Sequence, residues 1–188
     1  GSNFFFYFSE IQYAAEDSFL KPFLHTWSLS VEEQFYIIFP ILFVLLFKYF
    51  RKNIFYIIII FIIISILFAN ATSLSNQSLS FYILPTRGWE LLSGSLLAYL
   101  EYTKGKDTSK PIIKDLLTIT GLMLIILSFL YFTDDTLHPS YLTIVPILGV
   151  CIIIWFADKS TLVGKILSTK IFVGLGLISY SLYLWHYP

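Results

Sequence analysis

Charge is what this chain has least of. Only 13% of its 188 residues are charged, about half the share of a soluble domain. Twelve bases balance twelve acids, so the formal net charge is zero. A polyanion such as nucleic acid has nothing to hold on to. Cys151 is the single cysteine, which excludes a disulfide framework within the chain. It lies inside an apolar run and reads as a packing residue. No stretch alternates apolar and polar residues over a strand's length, so a transmembrane barrel is set aside. No His-x-x-x-His or Cys-x-x-Cys spacing offers a metal site. There is no starting Met and no charged segment leading into a short apolar one with a cleavage site, so no signal peptide is read.

What remains is apolar: 57% hydrophobic residues and a mean hydropathy of +0.78. Six runs approach the roughly 20 residues that cross a bilayer. They are 32–47, 54–69, 89–100, 112–132, 142–157 and 171–187. The third is the weakest and needs Phe81–Leu84 or Glu101-Tyr102 to reach full length. The expected fold is all-α, a polytopic transmembrane helix bundle with about six crossings in this stretch. The bases agree with that count. Lys48, Arg51 and Lys52 follow the first run, Lys104, Lys106, Lys110 and Lys114 the third, and Lys159, Lys165 and Lys170 the fifth. Only Lys21 and Arg87 lie elsewhere, so ten of the twelve bases fall at every second connection. The positive-inside rule places those connections in the cytoplasm and the His25 segment outside. The chain stops at Pro188, directly after an apolar run, and is expected to be an internal piece of a longer membrane protein.

The outward ends then collect the ionisable groups: His25, Glu32, Glu33, Arg87, Glu90, Asp134, Asp135, His138 and His186. Such groups are costly at the mouth of a membrane helix and usually have a role there. His25 and Glu32 are two helical turns apart, on one face if the helix starts early enough. A carboxylate can fix a histidine's tautomer and raise its basicity, as a general base needs. Ser30-Val31-Glu32-Glu33 also fits a capping box, with Ser30 as N-cap, Val31 starting the helix and Glu33 reaching back. Trp27 and Tyr36 suit either a substrate surface or an interfacial aromatic belt. Pro85-Thr86 suits a helix start. Arg87 can bind a carboxylate, a phosphate or a developing oxyanion, or simply neutralise Glu90 one turn on. Gly94 and Ala98 form a small-xxx-small packing pair. Tyr183 and His186 share a face near the outer rim and can shape a sugar-binding surface. Asp134, Asp135 and His138 read as a solvated turn before Pro139.

Four segments, in this order, resemble the acyltransferase-3 family of integral-membrane O-acyltransferases. His25-Thr-Trp-Ser-Leu-Ser-Val-Glu-Glu-Gln-Phe-Tyr36 matches a family signature almost letter for letter. Pro85-Thr-Arg-Gly-Trp-Glu-Leu-Leu92 with Gly94 is similar to a second element. Thr136-Leu-His-Pro-Ser140 with Pro146-Ile-Leu-Gly149 resembles a third, and Ile178-Ser-Tyr-Ser-Leu-Tyr-Leu-Trp-His186 a fourth. The resemblance covers all of 1–188 as part of one membrane domain whose first helices and C-terminal end are missing. It implies a multi-pass enzyme of the bacterial inner membrane. Such enzymes move an acyl group, usually acetyl, from a cytoplasmic donor such as acetyl-CoA to a hydroxyl of a surface glycan or its lipid-linked precursor. Acceptors include lipopolysaccharide O-antigen, exopolysaccharide and peptidoglycan, and no tightly bound cofactor is implied. Long members often carry an SGNH-type domain after the membrane part. A family arginine and histidine proposed to act in acyl transfer sit on an earlier helix, upstream of Gly1, so no residue here inherits that role and the piece alone is expected to be inactive.

The expected catalytic residues are His25, Glu32 and Arg87. Glu33, Trp27, Tyr36, Glu90, Tyr183 and His186 are expected to contact substrate. Two other classes stay open: a glycan-lipid transporter or flippase, and a non-catalytic partner in a polysaccharide assembly complex. A transporter would favour charges near helix midpoints, which this chain largely lacks.

Overall fold

The computed structural model describes residues 2–12, 23, 25–106, 109–133 and 136–185. Among them the chain is helical and contains no strand. Helix α1 spans Ser2–Gln12, α2 Thr26–Phe50, α3 Ile54–Ser75, α4 Gln77–Tyr82 and α5 Leu84–Lys104. Helix α6 spans Pro111–Tyr131, α7 Ile144–Phe156, α8 Leu162–Leu167 and α9 Lys170–Trp185. Short 3-10 turns, Arg51–Asn53 and Tyr141–Thr143, lead into α3 and α7. Two compact units form. One gathers Gly1–Leu96, Leu137–Ser140 and Tyr183–Pro188, the other Leu97–Thr136 and Tyr141–Leu182.

Each of the six apolar runs coincides over most of its described length with a helix, α2, α3, α5, α6, α7 or α9. Membrane-crossing character is clear for fewer. Thr26–Ser75, which joins α2 to α3, and Pro111–Tyr131 are long and apolar enough, with mean hydropathies of 2.8 and 2.0. Helices α7 and α9 are apolar but shorter. Only 17% of the residues in each of the two apolar windows are buried, which does not suit the core helix of a soluble protein.

What those helices bury makes the same point. Beyond Ile54 and Ile58 in its first turns, helix α3 buries Ser65, Ala69, Thr72 and Ser73 while exposing Ile60, Ile63, Ile64 and Leu67. Helix α6 buries Thr118, Gly121 and Ser128 while exposing Leu116, Met123, Leu127 and Leu130. In water this would be inside out. In lipid, where tails are as apolar as leucine, helices associate through small and hydroxylated residues that allow close approach.

Helix α1 and its role are absent from the sequence reading. Its Asn3 is fully buried. The amide nitrogen donates to the Tyr82 carbonyl at 3.0 Å. The amide oxygen accepts from Ser30 Oγ at 2.9 Å and from Gln34 Nε2 at 3.0 Å. One side chain thus ties α1 to α2 and α4. It also overturns the expected capping box. Helix α2 begins at Thr26 with His25 as N-cap, and no side chain caps it. Ser30 is inside the helix, turned onto Asn3, because a buried tertiary hydrogen bond outweighs the local cap.

In the second unit, α6 and α7 cross at a glycine pair. A Cβ on Gly149 would stand 2.6 Å from the Gly121 carbonyl oxygen, and one on Gly121 would stand 2.8 Å from that of Gly149. By contrast nothing lies within 4 Å of a Cβ on Gly94, so the expected Gly94–Ala98 packing pair meets no neighbour among the described residues. Near the start of α6, Lys114 Nζ and Asp158 Oδ2 are 3.0 Å apart. Asp115 accepts from the Leu162 backbone N–H at the start of α8.

Candidate functional site

The first unit builds its site from the starts of α2 and α5. Phe23 stands at φ 60°, a left-handed conformation that costs a non-glycine residue about 1–2 kcal/mol. Its carbonyl accepts from the Thr26 N–H at 3.0 Å and the Thr26 hydroxyl at 2.8 Å. This turn delivers His25 to the head of α2 and starts the helix five residues earlier than the capping box would. Trp27 follows, its ring centroid 4.2 Å from that of Phe81 and 5.5 Å from that of Tyr82.

Helix α5 opens with Pro85 in its first turn, where the missing N–H has no helical partner to lose. Ser65 of α3 donates to the Pro85 carbonyl at 2.6 Å and accepts from the Trp89 backbone N–H at 3.1 Å. Gly88 lies against the same hydroxyl, and Trp89 is buried. With α5 fixed on α3, Arg87 and Glu90 turn toward α2.

They meet Trp27 and Glu32 there. A cavity of about 60 Å³ is lined by Trp27, Ser28, Val31, Glu32, Arg87, Glu90 and Leu91. Arg87 pairs with Glu90 at 3.1 Å, the two side chains being 27% and 19% exposed. The guanidinium carbon lies 5.0 Å from the Trp27 ring centroid and 5.6 Å from that of Phe81, within cation–π range. Arg87 is thereby held by a carboxylate and two aromatic rings. A guanidinium carries five N–H donors, so engaging Glu90 leaves it able to grip another oxygen. At roughly 30 Å³ of liquid volume per water, the cavity holds about two waters. It admits one functional group of a ligand rather than a sugar ring.

His25 sits beside this cavity rather than on its lining. Its ring meets Tyr183 edge to face, with centroids 5.1 Å apart. The Tyr183 hydroxyl donates to the His25 carbonyl. A phenol has one proton, so in the 2.8 Å bond between Ser28 Oγ and Tyr183 Oη the serine is the donor. Ser28 thus belongs both to the cavity wall and to the His25–Tyr183 contact.

The structure therefore gathers Trp27, Glu32, Arg87 and Glu90 around one cavity and joins His25 to Tyr183 through Ser28. Glu33 and Tyr36 are exposed and line no part of it. His186, Asp134 and Asp135 lie outside the described residues. Sequence reasoning missed three participants. Ser28 was inside the signature but had no chemistry of its own to mark it. Phe81 looked like an apolar extension of α5. His138 was assigned to a solvated turn, yet it is partly buried and its pKa is lowered, first by burial and then by the Arg87 charge, with Glu90 opposing. Below this polar site an apolar groove of about 380 Å³ runs between α2, α3 and α5, walled by Phe35, Phe39, Phe61, Phe68 and Leu92 among others. Among the described residues no group of three His, Cys, Asp or Glu is placed to hold a metal.

Comparison with known proteins bears on this geometry. A family model described as an acyltransferase domain matches residues 1–188. The peptidoglycan O-acetyltransferase OatA of Listeria monocytogenes is 33% identical over 199 residues, covering 100% of this chain and 32% of the relative. A putative O-acetyltransferase of Staphylococcus aureus is 32% identical over 197 residues, covering 99% of this chain and 32% of the relative. The O-acetyltransferase OatA of Staphylococcus aureus is 32% identical over 178 residues, covering 90% and 30%. The chain spans about a third of the length of these relatives. No solved structure matches.

Proposed function

The chain belongs to this acyltransferase family, and on that premise we propose that it forms part of a membrane O-acyltransferase. Its full-length protein transfers an acetyl group from a cytoplasmic donor such as acetyl-CoA to a hydroxyl of a cell-surface glycan, peptidoglycan first among the candidates. The name of the Listeria relative favours that acceptor. The protein sits in the bacterial inner membrane with about six crossings in this stretch and the His25 segment outside. The alternating placement of basic residues supports that topology.

In the proposed reaction an acceptor hydroxyl attacks the acyl carbonyl carbon. A C–O bond forms and the bond between the acyl carbon and the carrier that presents it at the outer face breaks. The hydroxyl proton passes to the His25–Glu32 pair, of which Glu32 lines the cavity and His25 sits beside it. Glu32, two turns on along the same helix face, orients His25 or balances its charge. The carbonyl oxygen becomes negative in the tetrahedral intermediate and is met by Arg87. The carrier leaves with the bonding electrons and takes up the proton released from the acceptor hydroxyl. Arg87 suits that task because its position is settled before charge develops, so no reorganisation is needed as the barrier is crossed. The small cavity admits the reacting group. The open apolar groove below it suits the hydrocarbon of a lipid-linked acceptor.

The observation that carries this reading is the cavity itself, which sets the α2 carboxylate Glu32 opposite the aromatic-clamped Arg87 of α5. The test is the O-acetyl content of surface glycan, measured by mass spectrometry, in hosts whose full-length gene is intact, deleted, or carries Arg87→Ala or Glu32→Gln. Deletion and both substitutions are expected to remove the acetyl groups without loss of the protein from the membrane. Glycan that keeps its acetyl groups in the deletion strain refutes the activity. Acetylation intact in the substituted strains refutes the site alone.

A further inference from the structure

We propose that His138, carried on the strap Leu137–Ser140, is a positioning residue for the Arg87–Glu90 pair. The inference rests on the acyltransferase reading of that site and adds an element to it from a remote part of the chain.

The strap is not a free turn. Pro139 is fully buried and Ser140 nearly so. Ser73 of α3 donates its hydroxyl proton to the Pro139 carbonyl. The same Ser73 oxygen is 2.8 Å from Ser80 Oγ of α4. The Ser80 backbone carbonyl in turn accepts from the hydroxyl of Thr86, the residue directly before Arg87. Ser73, Ser80 and Thr86 are all buried. Three short polar contacts, through Ser73 and Ser80, therefore connect the residue after His138 to the residue before Arg87. Everything in that chain belongs to one compact unit.

The electrostatics agree with the geometry. His138 feels both members of the pair, Arg87 disfavouring its charged form and Glu90 favouring it, with burial adding to the Arg87 effect. The balance keeps the imidazole neutral near neutral pH. A neutral imidazole offers one donor and one acceptor nitrogen, so as a positioning residue it steadies the pair without adding a second positive charge near Arg87. Lysine or arginine in its place would compete with Arg87 for Glu90.

The test uses the full-length protein in its host membrane and reads base-labile acetate on the surface glycan, with membrane protein level as control. The series is His138→Ala, His138→Gln, Ser73→Ala and Arg87→Ala. Glutamine keeps a neutral donor and acceptor of similar reach. The expected result is loss of acetylation with Arg87→Ala, about a tenfold drop with His138→Ala, a smaller drop in the same direction with Ser73→Ala, and recovery to within about threefold with His138→Gln, a rescue that packing alone would not give. Wild-type acetylation in His138→Ala beside an inactive Arg87→Ala overturns the proposal and leaves the site standing. Equal losses in His138→Ala and His138→Gln also overturn it, since a neutral hydrogen-bonding group would then not suffice. Full acetylation in Arg87→Ala removes the underlying reading instead.

Discussion

The crossing of α6 and α7 gives the prediction with the clearest magnitude. Gly149→Ala puts a methyl group 2.6 Å from the Gly121 carbonyl oxygen, 2.9 Å from Ile125 Cγ1 and 3.3 Å from Leu124 Cβ. The first obstacle is backbone and cannot swing away, so the helices must separate or shift along one another. Overpacking of this kind costs roughly 1–3 kcal/mol, and a backbone obstacle places it at the upper end. About 3 kcal/mol corresponds to roughly two powers of ten in the ratio of folded to unfolded protein. The reverse change, Gly121→Ala, meets the Gly149 carbonyl at 2.8 Å and Ile153 Cγ1 at 3.1 Å, and is expected to cost somewhat less. The two methyl groups relieve themselves by the same separation, so the double substitution is expected to cost clearly less than the sum. Thermal unfolding of the purified full-length protein in detergent, followed by tryptophan fluorescence, reads all three. Gly94→Ala, with nothing within 4 Å of its Cβ, is the control and should melt with the parent or slightly above it, since alanine favours the helix. An unchanged midpoint for Gly149→Ala, or strictly additive single effects, refutes the close crossing.

Three further outcomes follow from the same kind of argument. Asn3→Leu leaves the Ser30 hydroxyl, the Gln34 amide and the Tyr82 carbonyl without their shared partner. At about 1–3 kcal/mol for each buried group left unsatisfied, thermal unfolding in detergent should show a loss of at least 2 kcal/mol on that scale, and a cost below about 1 kcal/mol would remove Asn3 as a hub. Tyr183→Phe frees the Ser28 hydroxyl and the His25 carbonyl, and is expected to cut glycan acetylation several-fold at normal membrane levels; unchanged acetylation would detach the α9 end from the site. The Asp158 carboxyl is held well below the usual carboxylate range by hydrogen bonds from Ser160 and Lys114. A lowered folded-state pKa stabilises fully above the unfolded value, near 3.9, and that contribution starts to fade there and is lost as pH falls on through the lower folded-state value. The stability difference between the parent and Asp158→Asn is therefore expected at neutral pH and should shrink below about pH 4; a difference that persists undiminished at pH 2–3 contradicts the account.

Much of the helical layout was legible because lipid-facing helices advertise themselves. The runs at 32–47, 54–69 and 112–132 fall within α2, α3 and, but for its last residue, α6, since composition alone carries that signal. Helix α5 was the faint one, and it stays faint: its first turns hold Arg87, Gly88 and Glu90 in place of apolar residues. What escaped was tertiary. The start of α2 was misplaced because Ser30 has two uses, a local cap and a bond to Asn3, and only the folded chain shows that the second prevails. The Gly94–Ala98 spacing and the Gly121–Gly149 approach look alike as letters, but the second needs two helices to define it. Trp27, Glu32, Arg87 and Glu90 were all named from their chemistry. That Trp27 serves as a platform for the guanidinium, and that His138 feels its charge, depends on residues more than fifty positions apart.

The bond between Asn3 and Tyr82 also bears on the order in which the protein is made. The oxygen of Asn3 finds Ser30 and Gln34 early in synthesis, but its nitrogen waits for a carbonyl 79 residues away. At about 5–20 residues per second, roughly 2–10 s pass between the emergence of Gln34 and that of Tyr82. During that interval the amide N–H of α1 must find a stand-in acceptor or face lipid. The ribosome thus sets a time before which the first unit cannot close. A slow codon stretch between α2 and α4 would prolong the most vulnerable state of the nascent chain.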